Sequence, residues 1–95
     1  MAAYIIAKIN ITDPEKFKQY QQVTPEILDK YKGKFLVRGG ETKTLEGSNE
    51  TARIVVIEFP DQEHADAFYD SAEYTAARKI REGAATADFI RVVGV

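Results

Sequence analysis

The sequence predicts an α+β fold in which one four-stranded antiparallel sheet carries helices on one face. Four segments are rich in β-branched residues or alternate in polarity, as strands do, and two longer segments have apolar residues at helical spacing. These elements follow one another as strand, helix, strand, strand, helix, strand. Because 95 residues is the length of one domain, we predict a single domain over residues 1–95.

The first strand and the first helix are predicted within residues 3–31. Residues 3–11 are rich in isoleucine and end at Thr12-Asp13-Pro14, where a capping residue followed by proline marks a helix start. Residues 14–31 then have aromatic and aliphatic side chains at helical spacing. Pro25 lies inside this helix, where it lacks a backbone donor and clashes with the preceding turn. We therefore expect a kink or a restart near Val23-Thr24.

A hairpin, a second helix and a last strand are predicted in the rest of the chain. Residues 34–45 and 51–59 have the composition of two strands, joined by the turn-rich residues 46–50. The second helix begins near Pro60-Asp61, and Ser71 within it has the position of a second cap, so this segment is either one helix or two that meet at a bend. Residues 88–95 are predicted to form the final strand. This order is the split βαβ pattern of a ferredoxin-like domain.

The two faces predicted for the sheet differ in character. Because side chains alternate across a strand, each strand divides into two sets by parity. One set is nearly all apolar and is expected to pack against the helices: Ile5, Ala7, Ile9, Ile11, Phe35, Val37, Val55, Ile57, Phe59, Ile90 and Val92. The other set is too apolar for water and too charged for a simple core: Tyr4, Ile6, Lys8, Asn10, Leu36, Arg38, Ile54, Val56, Glu58, Phe89, Arg91 and Val93. We infer that a second copy of the chain covers this second face, in a homodimer through Ile6, Leu36, Ile54 and Phe89.

Arg38 and Glu58 form the first candidate site. A hairpin symmetric about Ser48 would place them opposite each other on the second face, whereas a bulge at Gly39-Gly40 would change that register. One interpretation is a structural ion pair, because charges half-buried in an interface must be paired. The other is functional, with the Arg38 guanidinium binding a carboxylate or enolate and the Glu58 carboxylate removing a proton.

Tyr74 and Arg78 form the second candidate site. They are four residues apart on a helix and so share a face, where they would either line the mouth of a ligand site or form a structural pair with the tyrosine packed on the arginine stem. His64 is expected to be solvated and without a role. Since the chain has no cysteine and one histidine, we predict no metal site and no cofactor.

Charge and targeting signals limit the partners further. The formal net charge is −2, whereas nucleic-acid binders usually carry a concentrated basic surplus, so we expect no nucleic-acid partner. No secretory signal is visible and no apolar run approaches the length of a membrane span, so we expect a cytoplasmic protein without a membrane partner.

Three motifs occur in order along the chain: FLVRGG at 35–40, VIEFP at 56–60, and SAEY at 71–74 followed by Arg78 or Arg81. Their order and spacing resemble an uncharacterised bacterial family, domain of unknown function 1330, although Ala72 stands where the family form has proline. The resemblance implies the dimeric α/β barrel fold, in which two ferredoxin-like sheets pack face to face. That wider superfamily includes cofactor-independent monooxygenases, lactone isomerases, haem enzymes and stress-response proteins, so the resemblance implies an architecture and not a reaction.

Two functions are compatible with these observations. The first is a homodimeric barrel protein that binds a small acidic or aromatic metabolite in or at the mouth of the barrel, near Arg38, Glu58, Tyr74 and Arg78. The alternative is a small enzyme, a cofactor-independent oxygenase or isomerase, with Glu58 as the base and with Arg38 and Tyr74 stabilising an oxyanion. The sequence does not decide whether the protein is an enzyme.

Overall fold

The computed structural model describes all 95 residues, and its element order confirms the predicted ferredoxin-like α+β fold. The elements are β1 (Ala3–Ile11), α1 (Pro14–Lys30), β2 (Lys34–Arg38), β3 (Arg53–Phe59), α2 (Gln62–Asp70), α3 (Ala72–Arg81) and β4 (Ala85–Val93). All strand pairs are antiparallel, and the sheet order is β2-β3-β1-β4, so β2 and β4 form the two edges. No helix is long and apolar enough to cross a membrane.

The helix α1 runs through Pro25 without the predicted restart. It begins where the Asp13 carboxylate accepts a hydrogen bond from the backbone N–H of Lys16, at 3.2 Å. Proline has no N–H to donate to the carbonyl oxygen of Gln21, four residues earlier. That oxygen instead accepts bonds from the Thr24 hydroxyl at 3.4 Å and from the Arg38 guanidinium at 3.3 Å. Side chains thus supply hydrogen bonds to the carbonyl oxygen that Pro25 leaves without its helical donor.

The second helical segment is two helices, which confirms the bend allowed at Ser71. Ser71 closes α2 and opens α3: its hydroxyl donates to the Phe68 carbonyl oxygen at 2.7 Å and accepts from the Tyr74 backbone N–H at 3.0 Å. One side chain thus satisfies a backbone group of each helix.

The core lies between the helices and one face of the sheet. Phe68 is 1% exposed, and its ring centroid lies 4.5 Å from that of Tyr74, 5.4 Å from that of Phe59 and 6.2 Å from that of Tyr31. Alternate residues of β1 and β3 pack beneath this cluster, as the parity argument predicts for Ile5, Ala7, Ile9, Val55, Ile57 and Phe59.

The prediction for the faces of β4 is wrong by one residue. Phe89 pairs with Ala7 and Arg91 pairs with Ile5, so Phe89, Arg91 and Val93 lie on the helix side. Ile90 and Val92 lie on the opposite face, which we call the open face. Both parities of β4 contain apolar residues, so alternation alone does not orient the strand. The aromatic ring of Phe89 packs on Tyr69 and Tyr74, which places it on the core side.

The strand β2 is shorter than predicted and contains a bulge at Leu36. Lys34 pairs with Glu58 and Phe35 with Ile57, but the next partners are Val37 with Val56 and Arg38 with Val55. Because Leu36 is an extra residue, the alternation of the strand is shifted beyond it. Arg38 therefore lies on the helix side of the sheet, and the predicted pairing of Arg38 with Glu58 does not occur.

The strand β2 ends at Arg38, and the next residue, Gly39, has a φ of 74°. Its N–H donates to the Ile54 carbonyl oxygen at 2.8 Å, and a Cβ atom at this position would overlap the Arg53 guanidinium. Glycine suits this left-handed position because it has no Cβ. The strand stops here, and no residue between 39 and 52 is in a strand.

Candidate ligand site

A small cavity of about 40 Å³, partly open to solvent, lies between the sheet and α1. Its walls are mostly aliphatic and aromatic, from Ala7, Ile9, Phe17, Tyr20, Leu28, Phe35, Val55, Ile57, Phe68, Tyr74 and Phe89. Its polar lining comes from Gln21, Thr24, Arg38 and Arg53. The lining thus contains two guanidinium groups and no carboxylate, which gives the cavity a positive potential.

Arg38 is placed at the mouth of the cavity by the bulge and by α1. Its guanidinium carbon lies 4.4 Å from the centre of the Phe35 ring, and its Nη2 donates to the Gln21 carbonyl oxygen at 3.3 Å. Arg53 donates to the backbone carbonyl oxygen of Arg38 at 3.2 Å. The Arg38 side chain is exposed, so its remaining donors are accessible to a ligand that enters from solvent.

The inner part of the cavity contains two buried phenols. The hydroxyl oxygens of Tyr20 and Tyr74 are 2.6 Å apart and share a hydrogen bond. Burial raises the pKa of both phenols, and the pKa of Tyr74 rises far above its ordinary value. Both groups are therefore neutral hydrogen-bond donors at any physiological pH.

Arg81 lies beside these phenols but outside the cavity lining, in the cleft at the end of α3. Its guanidinium carbon is 5.4 Å from the centre of the Tyr20 ring and 5.1 Å from that of Phe89. Its Nε is buried and has no hydrogen-bond partner. The positive charge of Arg81 partly opposes the rise in the pKa of both phenols.

The structure brings two of the four predicted ligand-binding residues together. Arg38 and Tyr74 line the same cavity, and Tyr74 is 1% exposed and lies in the core. Arg78 lies over the ring of Tyr69, 4.9 Å from its centre, in a separate cleft at the end of α3. Glu58 lies on the open face and does not line the cavity.

The surroundings of Glu58 are those of a paired surface group. Its carboxylate lies 3.2 Å from the Lys34 ammonium and accepts a hydrogen bond from the Tyr4 hydroxyl at 3.4 Å. Lys34 thus takes the place that the sequence analysis gave to Arg38. Whether Glu58 acts as a base or a ligand group stays a prediction.

His64 belongs to the start of α2. Its backbone N–H donates to the Asp61 carboxylate at 2.8 Å, and its Nδ1 lies 2.6 Å from the same oxygen. These two hydrogen bonds lower the pKa of Asp61, the backbone one contributing most. The structure contains no group of three or more potential metal ligands.

Four residues that line the cavity were not predicted as site residues: Tyr20, Gln21, Thr24 and Arg53. Tyr20 was predicted only as part of the apolar face of α1. One sequence feature indicates a contact at Gln21. Pro25 leaves the carbonyl oxygen of Gln21 without its helical donor, so this oxygen requires a hydrogen bond from another group, such as a side chain.

The open face of the sheet carries an apolar row across all four strands. Val37, Val56, Ile6 and Ile90 lie side by side, and Leu36 shares the position opposite Val56 because of the bulge. Leu36 is 49% exposed and Ile90 is 58% exposed. Ion pairs lie on both sides of this row: Lys34 with Glu58, and Lys8 with Glu50 at 2.5 Å.

Comparison with known proteins identifies a family and a fold. The family model described as Domain of unknown function (DUF1330) matches residues 2–95. No functionally curated protein is significantly similar to the chain. A crystal structure of a protein of unknown function from Rhodopseudomonas palustris is 18% identical, with a TM-score of 0.78 over 99% of this chain and 82% of that one.

Two further structures share the fold. SnoaB, a cofactor-independent oxygenase from Streptomyces nogalater, is 9% identical, with a TM-score of 0.70 over 99% of this chain and 93% of that one. A dimeric protein of unknown function and ferredoxin-like fold from Bacteroides fragilis is 15% identical, with a TM-score of 0.64 over 98% of this chain and 96% of that one. At these identities the likeness concerns the fold and not the chemistry.

Proposed function

The chain belongs to the DUF1330 family, and from that premise we propose that it is a homodimer that binds a small anionic aromatic molecule in the cavity between its sheet and α1. The observation that carries this proposal is the lining of the cavity, which combines apolar and aromatic walls with two guanidinium groups and no carboxylate. Pockets of this composition hold an apolar body by burial and orient it through a few polar groups, and the ligand would widen this small cavity at its open mouth as it enters.

The anionic group of the ligand is expected at Arg38. A guanidinium presents parallel N–H donors that match the two oxygens of a carboxylate. The Phe35 ring beneath Arg38 supports the guanidinium from one side, so its donors are held close to their binding orientation. This site lies on the helix side of the sheet, whereas the sequence analysis placed it between two facing sheets. Arg38 and Tyr74 keep their proposed roles, and Glu58 and Arg78 would act only at other surfaces.

The homodimer is proposed through the open face. A row of exposed aliphatic residues that crosses a whole sheet is more apolar than a monomer surface usually is. The ferredoxin-like neighbours from Bacteroides fragilis and from Jannaschia sp. CCS1 are described as dimeric. A second copy presents the same apolar row, so the surface is complementary to itself across a two-fold axis. A cytoplasmic location and the absence of a nucleic-acid partner belong to the same proposal.

Replacing Arg38 with methionine tests the ligand site. We expect the Arg38→Met variant to bind benzoate roughly ten- to a hundredfold more weakly than the parent in isothermal titration calorimetry, because a charge-assisted hydrogen bond is lost. The melting temperature is expected to change little, since Arg38 is exposed.

The matched control is Arg91→Met, which removes an arginine that is paired with Asp66 at 2.9 Å outside the cavity. This variant is expected to bind benzoate as the parent does. Equal affinity of the Arg38→Met variant and the parent would remove Arg38 from the site.

The enzymatic alternative, an oxygenase or isomerase with Glu58 as the base, has a separate test. Glu58 lies on the other side of the sheet from the cavity, so its substrate would have to bind between the two sheets of the dimer. In that case Glu58→Gln abolishes oxygen consumption or isomerisation of an aromatic substrate while benzoate binding persists. Turnover that is unchanged in Glu58→Gln would contradict a catalytic role for this residue.

A further inference from the structure

We propose that the hydroxyl groups of Tyr20 and Tyr74 bind an acceptor oxygen of the ligand, which therefore carries a carbonyl, enolate or phenolate oxygen in addition to the group held at Arg38. The inference rests on the proposed function, because it concerns the inner part of the same cavity. It specifies the ligand as an aromatic molecule with oxygen atoms at two separate positions.

The first support is a count of donors and acceptors. Each phenol has one O–H to donate, and the bond between Tyr20 and Tyr74 uses one of the two. No other side chain or backbone group accepts a bond from either hydroxyl. One O–H is therefore left without an acceptor in a buried position, where such a group is costly. A ligand oxygen in the cavity would supply that acceptor.

The second support is the charge behind the pair. Arg81 stacks against the Tyr20 and Phe89 rings, and its buried Nε lacks a partner. A guanidinium donates hydrogen bonds and cannot accept them, so it does not satisfy the free O–H. The phenol oxygens can accept hydrogen bonds from each other and from Arg81, so the cluster has one phenol O–H and a positive charge in excess of its acceptors. That composition stabilises an oxygen that bears negative charge.

The third support is the environment of the hydroxyls. Both tyrosines line the cavity and are buried among Phe17, Phe68 and Phe89. A hydrogen bond to an anionic oxygen is stronger in such an apolar setting than in water. Burial also raises the pKa of both phenols, so they remain protonated and do not compete with the ligand for negative charge.

The probe for this inference is 4-nitrophenol, whose phenolate absorbs visible light and whose neutral form does not. We titrate the probe with pH in the presence of excess purified protein and follow the phenolate absorbance. The pKa of the bound probe is expected to lie about one unit or more below the pKa of the free probe. This shift corresponds to roughly tenfold tighter binding of the phenolate than of the phenol.

The variant that tests the phenols is the double substitution Tyr20→Phe and Tyr74→Phe. Replacing both partners of a buried hydrogen bond by apolar groups of the same shape is nearly neutral for stability. A single substitution would leave one hydroxyl that could still donate to the probe. The double variant is expected to lose the shift in ionisation. Tyr31→Phe removes a phenol that does not line the cavity, and is the control that keeps the shift.

The outcomes separate the two proposals. If benzoate and 4-nitrophenol both bind but the probe ionises as it does in solution, the phenol pair has no such role and the proposed function stands. An equal shift in the parent and the double variant likewise overturns the role of the phenols. If neither probe binds, the ligand site itself is wrong. If the double variant does not fold, the Arg38→Met variant decides the matter: it keeps both phenols and is expected to keep the shift, whereas loss of the shift would assign it to Arg38 and overturn the role of the phenols.

Discussion

The Ile6→Lys variant is expected to be a monomer under conditions in which the parent is a homodimer. Ile6 lies in the centre of the apolar row, between Val56 and Ile90, and the two-fold axis would bring a lysine from each protomer into the contact. A buried charge without a partner costs several kcal/mol, so the dissociation constant of the dimer should rise by roughly three orders of magnitude or more. Light scattering coupled to size-exclusion chromatography measures the change in mass.

The control for this variant is Gln22→Lys, which adds the same charge to an exposed position of α1. This variant is expected to remain a dimer. If the parent is a monomer at micromolar concentration, or if Ile6→Lys keeps the mass of the dimer, the open face does not form the interface. Circular dichroism checks that Ile6→Lys retains its secondary structure, since Ile6 points away from the core.

The Phe68→Ala variant is expected to show the largest loss of stability. Phe68 contacts the rings of Phe59 and Tyr74 and also lines the cavity, so its removal leaves a void that joins the existing empty space. Truncation of a buried phenylalanine to alanine costs about 3–5 kcal/mol of the free energy of unfolding. Urea denaturation at a fixed protein concentration measures this difference.

Leu45→Ala is the control for Phe68→Ala. Leu45 is 84% exposed, so its truncation should change the free energy of unfolding by no more than about 0.5 kcal/mol. A loss of less than about 1 kcal/mol for Phe68→Ala would mean that the aromatic cluster is not the centre of the core.

The order of the elements could be predicted because it depends on local patterns. The helical spacing in α1, the isoleucines of β1 and the cap at Ser71 are each properties of a short stretch of chain. Helix starts and strand composition are fixed largely by such neighbours in sequence. The prediction of a ferredoxin-like fold needed only the type and order of these elements.

The face of a strand could not be predicted where alternation is interrupted or ambiguous. Counting by parity assumes that every residue of β2 takes part in the ladder, and the bulge at Leu36 breaks that assumption. In β4 both parities contain apolar residues, and the packing of Phe89 on Tyr69 decides between them. These two errors moved Arg38 and Phe89 to the wrong side of the sheet in the sequence analysis.

The cavity itself depends on contacts between residues that are far apart in sequence. Tyr20 and Tyr74 are separated by 54 positions, and their hydrogen bond exists because α1 packs beside α3. No periodicity within either helix indicates that two phenols will meet, because the apolar pattern fits an ordinary core tyrosine equally well. The site therefore becomes visible only after the helices have been placed on the sheet.

The sheet order has a consequence for aggregation. The strand β2 is a poor template for a further strand, because it has five residues, a bulge and charged residues at both ends. The other edge, β4, has nine residues in a regular ladder with β1, and its segment from Phe89 to Val93 has Arg91 as its single charge. Intermolecular strand pairing should therefore begin at β4 when the protein is heated or diluted. In the proposed homodimer, Ile90 and Val92 beside that edge would be covered, so association of the two sheets would protect against fibre formation.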